Sequence, residues 1–241
     1  MRIENLSGGN LIVRTHWQLV LLLVAGMVLG RRLPADGAET AAKAKKPADD
    51  AAQAVIDEVE KECLRESVPM VGRPKAERLA ELVRKAKPQR IVECGTALGY
   101  SSLWMARELK KTGRGRLITI EIDPKTAKRA EDNFRRAGLT DYVTVKVGDA
   151  RKVVKTLEGP IDFLFLDCGY SNYHPCFVAL EEKLRPGTTV VADNVGIDSA
   201  GSMNDYLKLV RGKYQSRTEW FDVNLPWAKR DAMEVTVLKG R

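Results

Sequence analysis

RIVECGTALGYS, residues 90–101, changes its periodicity halfway along. Arg90 to Cys94 is a short apolar run that reads as a strand. Gly95 and Gly99 then let the backbone turn tightly and approach a ligand, and a helix begins at Tyr100 and runs to about Lys111. The alternation continues toward the C-terminus. Further strands are expected at Arg116–Ile122 (RLITIEI), Tyr142–Val147, Ile161–Leu166 (IDFLFL) and Thr188–Ala192 (TTVVA). Helices are expected from Pro124 to near Gly138, and over Ala150–Leu157, Pro175–Leu184 and Ser202–Val210, with Pro124 and Pro175 as opening residues. Two helices precede this series. One spans Asp49–Glu66, with Val55, Ile56, Val59 and Leu64 as its apolar residues. The other opens at Pro74, carries Leu79, Leu82 and Val83, and stops before Pro88. Two late strands, near Ser216–Phe221 and Met233–Leu238, have no long helix between them and suggest an antiparallel edge hairpin. The expected fold is therefore α/β, a doubly wound, mostly parallel sheet with helices on both faces. Ligands on such a sheet bind beyond the carboxyl ends of the strands, where strand order reverses.

At 241 residues the chain accommodates one such domain plus an appendage. Its 44% hydrophobic and 30% charged content is that of a soluble globular protein, so most of it should fold. The formal charge is +8, with Lys110, Lys111, Arg114 and Arg116 around one loop and Arg135 and Arg136 ending a helix. No aromatic residues interleave these clusters, which favours a solvated basic surface over a nucleic-acid groove. Cys63, Cys94, Cys168 and Cys176 form no Cys-x-x-Cys pair and have no histidine cluster beside them. That spacing argues against a structural zinc site, and Cys94 reads as a small buried hydrophobe.

Residues 1–48 stand apart from the domain expected at 49–241. Trp17 to Gly30 (WQLVLLLVAGMVLG) is an uncharged apolar run of 14 residues. That is short for a spanning helix, which wants ~20, and near the size of a signal-peptide core, with Pro34 to Ala44 able to hold a cleavage site. Two basic residues precede the run (Arg2, Arg14) and five follow it (Arg31, Arg32, Lys43, Lys45, Lys46). This bias favours a membrane anchor with the domain facing the cytoplasm, export after cleavage being the alternative. Gly37 to Asp50 reads as a linker.

The residues after each strand carry the chemistry. Glu93, beside the glycines, would repel a pyrophosphate but suits the cationic amino acid part of a sulfonium donor, and the glycine spacing is not that of a dinucleotide site. Glu121, at the second strand's tip, is placed to accept hydrogen bonds from a ribose diol. Asp149, after the third, suits an adenine amino group or a helix N-cap equally well. The fourth strand ends in Asp167 and the fifth in Asp193-Asn194. Two carboxylates and an amide carbonyl on neighbouring tips make an octahedral site for Mg²⁺, and leaving both carboxylates close together without a cation is costly.

VECGTALGYSS, LITIEID, FLFLDCGYSNYHP and VVADNV, in this order and spacing, resemble the catechol O-methyltransferase family with its caffeoyl-CoA and bacterial relatives. The resemblance runs from about Val71 to the C-terminus and takes in Met70-Val71-Gly72 and Leu225-Pro226. It implies a Rossmann-like seven-stranded sheet, S-adenosyl-L-methionine as methyl donor, and Mg²⁺ held by Asp167, Asp193 and Asn194. It also implies that Val71, Glu93, Gly95, Tyr100 and Ser101 line the donor's amino acid end, that Glu121 holds the ribose, and that Asp149 and Ala150 flank the adenine. The acceptor it implies is a small aromatic diol. The oligomeric state stays open, a homodimer included.

One position departs from the family. Members usually carry a lysine three residues after the first metal aspartate as general base, and here that position is Tyr170, preceded by Gly169. Tyr170 is the base in one reading, its reference pKa of ~10 lying near lysine's ~10.4. In a second the cation alone acidifies the hydroxyl. In a third the fold persists as a membrane-tethered binding protein with weakened catalysis. The basic charge leaves a macromolecular acceptor as a further alternative. His174, next to Pro175, reads as a neighbour of a helix cap, and Trp227 as a ring near the substrate pocket or a structural residue.

Overall fold

The computed structural model describes residues 47–197 and 201–238. The anchor or signal segment expected at residues 17–30 lies outside the described residues. Among those described, no helix is long and apolar enough to cross a membrane.

Helices α1 (Pro47–Glu66) and α2 (Arg73–Ala86) lead into β1 (Arg90–Cys94). Alternating units follow: α3 (Tyr100–Thr112), β2 (Arg116–Glu121), α4 (Pro124–Arg136), β3 (Val143–Val147), α5 (Ala150–Thr156), β4 (Ile161–Leu166), α6 (Tyr173–Leu180), β5 (Leu184–Ala192) and α7 (Asn204–Lys213). A hairpin of β6 (Gln215–Leu225) and β7 (Ala228–Val237) completes the chain. The seven strands lie in the order β3-β2-β1-β4-β5-β7-β6. β7 alone runs against its neighbours, pairing antiparallel with both β5 and β6.

Alternate strand residues feed two cores, as the two-residue period requires. Ile91, Phe163 and Phe165 pack with α1 to α4 on one face. Val92, Leu164 and Leu166 pack with α5 to α7 on the other. β4 is apolar almost throughout because it lies mid-sheet and is covered on both sides.

Several boundaries differ from the sequence expectation. The last two strands are longer, because Pro226-Trp227 makes a tight turn and cross-strand pairing continues past the β-branched segments. α6 starts at Tyr173 after a 3₁₀ turn over Tyr170–Asn172, so Pro175 is its third residue rather than its first. That position still lies in the first turn, where a missing N–H costs no helical bond. The helix expected through Leu184 ends at Leu180, and residues 181–183 form a second 3₁₀ turn. On α1, Cys63 takes the buried place expected for Leu64, which is 40% exposed. The 3.6-residue repeat from Ala52, Val55, Ile56 and Val59 reaches 63 before 64.

Candidate active site

Strand order reverses between β1 and β4, and a cavity of about 260 Å³ opens beyond their carboxyl ends. Met70 and Val71, which precede α2, line it together with Gly95, Thr96, Ala97, Tyr100 and Ser101 from the β1–α3 turn. Glu121 and Ile122 contribute from β2, Asp149 and Ala150 from the start of α5, and Asp167 and Cys168 from the end of β4. Val71, Gly95, Tyr100, Ser101, Glu121, Asp149, Ala150 and Asp167, expected from sequence, thus come together around one hollow.

Gly95 is required by this convergence. Its φ is +99°, and a Cβ built there would lie 2.0 Å from the Asp167 carbonyl oxygen. The backbone N–H of Asp167 in turn donates to the Cys94 carbonyl at 2.8 Å. The two strand tips are therefore in direct backbone contact.

The acidic residues are held in different ways. Glu121 accepts from the Thr96 and Ala97 amides (3.3 and 2.8 Å) through one oxygen and from the Asp123 amide (3.1 Å) through the other. It orders the glycine turn while still facing the cavity. Asp149 caps α5, accepting from the Arg151 amide at 2.9 Å, and pairs with the Arg151 side chain at 2.7 Å. The capping alternative is realised, and Asp149 remains in the cavity lining. Glu93 differs from expectation: it is fully buried and absent from that lining. β1 turns it inward, where Ser101 donates to it at 2.5 Å and Ser102 donates to its other oxygen. Burial pushes its carboxyl up to about 7 against those hydrogen bonds.

Asp167 and Asp193 follow the paired residues Leu166 and Ala192 on adjacent parallel strands. The Asp193 amide donates to the Leu166 carbonyl at 3.0 Å. Burial, and then the Asp193 charge, hold the Asp167 carboxyl well above the usual range. Among the described residues its side chain accepts no hydrogen bond. Asn194 takes a left-handed conformation (φ +59°) and donates its amide to Asp231 Oδ2 at 3.0 Å. Because that carboxylate can only accept, the Asn194 oxygen is left as an acceptor.

Two residues of this site escaped the sequence reading. Lys75, on α2 and 1% exposed, reaches both Asp193 oxygens (2.7 and 2.8 Å) and Asp231 Oδ2 (2.5 Å). Burial opposes the charge on Lys75, but Asp193 and Asp231 outweigh it and hold its pKa above the ordinary value. Asp193 itself is pushed up to about 6, by burial first, with Lys75 pulling down and Asp231 pushing up. One ammonium between two carboxylates keeps its own proton, while the carboxylates compete for the single positive charge. A signal existed for Lys75. It shares the helical face of Leu79, Leu82 and Val83, so a charge sits on the apolar stripe of α2. Asp231 gave less, since β7 turns into the core only from there onward.

Tyr170 opens the 3₁₀ turn, packs edge-on to Tyr173 with ring centroids 6.4 Å apart, and is absent from the cavity lining. His174 lies on α6, and Trp227 at the hairpin turn is 41% exposed; neither lines the cavity. The donors present suit a hard divalent cation. Asp167, half-buried and accepting no side-chain hydrogen bond among the described residues, stands on the strand tip next to that of Asp193 and Asn194, and the three side chains offer an all-oxygen set.

A family profile described as a methyltransferase domain matches residues 92–195. The catechol O-methyltransferase of Sus scrofa is 35% identical over 184 residues, covering 73% of this chain and 96% of that one. That of Niastella koreensis is 43% identical over 118 residues, covering 47% of this chain and 52% of the other, about half its length. Among solved structures, an O-methyltransferase from Bacillus cereus in complex with SAH superposes with a TM-score of 0.65 at 25% identity, covering 77% of this chain and 91% of that one. TomG, an O-methyltransferase from Streptomyces achromogenes in complex with SAM, gives 0.63 at 25% identity, with coverage of 81% and 91%.

Proposed function

This chain belongs to the catechol O-methyltransferase family of class I S-adenosylmethionine-dependent O-methyltransferases, and from that premise we propose that it methylates one hydroxyl of a catechol-like small molecule with the help of Mg²⁺. The observation that carries the proposal is Asp167, a half-buried carboxylate that lines the donor cavity and accepts no side-chain hydrogen bond among the described residues, on the strand tip next to that of Asp193 and Asn194.

When bound, the donor supplies its sulfonium methyl group, and a cation held by Asp167, Asp193 and Asn194 supplies Lewis acidity toward the acceptor oxygens. The protein's own part is positioning. Lys75 and Asp231 fix the Asp193-Asn194 tip from inside the core. Glu121 rigidifies the turn at Thr96 and Ala97, where the donor's ribose is expected. The contact of Gly95 with Asp167 brings the turn expected to hold the donor against the strand tip expected to hold the cation, so the two would be positioned relative to each other by the backbone. Tyr170 packs edge-on against Tyr173, and in this reading the cation and the site's electrostatics, rather than Tyr170, would acidify the hydroxyl.

The test is methyl transfer from labelled S-adenosylmethionine to a catechol panel, with Mg²⁺ and with chelator, for the natural chain and Asp167→Ala. Metal-dependent transfer that is lost in the variant is expected. Catechol methylation undiminished by both chelator and substitution would overturn the proposal.

A further inference from the structure

Three of the four cysteines, far apart in sequence, meet in the fold. Cys94 ends β1, Cys168 follows Asp167, and Cys176 lies on the buried face of α6. Their sulfurs all lie within 4.8 Å of one another. Cys94 and Cys176 are fully buried, whereas Cys168 is partly exposed and lines the donor cavity. Cys63 packs in the core of the opposite sheet face.

The geometry is that of a ligand set. A cation with metal–sulfur bonds of about 2.3 Å needs sulfurs about 3.8–4.0 Å apart, so shifts of under about 1 Å complete the arrangement. The elements are already locked for it: Asp167 N–H bonds to the Cys94 carbonyl, and Tyr173, Phe177 and Leu180 seat α6 in the same core. Three soft sulfurs without an oxygen donor select a thiophilic ion over Mg²⁺. Among the described residues no histidine or carboxylate joins the set, which leaves the fourth tetrahedral position for water. Three thiolates around a dication leave one negative charge. Arg151, paired with Asp149, lines the same cavity as Cys168 and brings a positive charge to that side of the site.

We propose that Cys94, Cys168 and Cys176 form a three-sulfur site for a thiophilic divalent d¹⁰ cation of the zinc–cadmium class, entered through the donor cavity past Cys168. Each thiol that binds exchanges its S–H bond for a sulfur–metal bond and gives its proton to solvent. Nothing is oxidised or reduced. The site is distinct from the oxygen ligands Asp167, Asp193 and Asn194 and does not depend on the proposed acceptor.

The experiment titrates the full-length, reduced protein with Cd²⁺ in saturating Mg²⁺, following sulfur-to-metal charge-transfer absorption and proton release. Saturation at one cadmium per chain is expected. Cys176→Ser should weaken binding at least about tenfold, whereas Cys63→Ser should not. Because Cys176 is in the core, X-ray absorption at the cadmium edge of the unsubstituted protein provides a second measurement, with three sulfur neighbours expected. An all-oxygen shell, or a charge-transfer band unchanged by Cys176→Ser, overturns the site.

Discussion

Lys75 Nζ lies 2.7 and 2.8 Å from the two carboxylate oxygens of Asp193, with both side chains 1% exposed. Removing one partner of a buried pair leaves an uncompensated charge, and here two carboxylates, Asp193 and Asp231, would face each other. Lys75→Met should cost about 3–5 kcal/mol of unfolding free energy. Urea denaturation at neutral pH measures it. Adding Asp231→Asn to that variant should recover part of the loss, because one of the two stranded charges is gone.

Asp167 is destabilising where it stands. Its pKa is raised in the folded state by burial and then by the Asp193 charge, so above that pKa the native carboxylate is less favourable than in the unfolded chain. In chelator at neutral pH, Asp167→Asn should therefore raise the melting temperature. Mg²⁺ at about 100 times its dissociation constant should add about 2.7 kcal/mol to the natural chain. The asparagine variant should gain much less. A natural chain that melts at the same temperature with and without Mg²⁺ would argue against the oxygen site.

Glu93 sets a slope of stability with pH. Its ordinary value is 4.5 and burial pushes it to about 7, so between these values the folded state binds the extra proton. Stability is full below 4.5, falls as pH rises, and is lower by about 3 kcal/mol above 7. Glu93→Gln cannot ionise and should flatten that slope. Denaturation midpoints measured across this interval for both proteins provide the check.

Gly95→Ala places a Cβ 2.0 Å from a backbone oxygen at a φ of +99°, so neither a rotamer change nor a side-chain shift relieves it. The β1–α3 turn must move away from Asp167. Donor affinity by calorimetry should fall by more than about tenfold, with loss of stability alongside.

Tyr170→Phe should leave the maximal rate of catechol methylation within about threefold, if the site's electrostatics rather than Tyr170 acidify the acceptor. A loss of about a hundredfold or more, with the Michaelis constant unchanged, would instead make Tyr170 the base. Tyr170→Lys tests whether the side chain usual in the family can operate from this position.

The strand–glycine–helix passage from Arg90 to Tyr100, the alternation around it and the order of Asp167 and Asp193-Asn194 were all legible in one dimension. Hydrophobic periods of 2.0 and 3.6 residues are local, and strand tips are where a parallel sheet exposes its ligand-binding residues. What the chain's order conceals is which distant side chains share a point in space. Lys75 reaches Asp193 across 118 residues, and the register of β1 against β4 brings Cys94 to Cys168, so spacing rules for metal motifs passed over the three thiols. The inward turn of Glu93 was likewise settled only by tertiary packing, since burial depends on what covers a strand and not on its own residues.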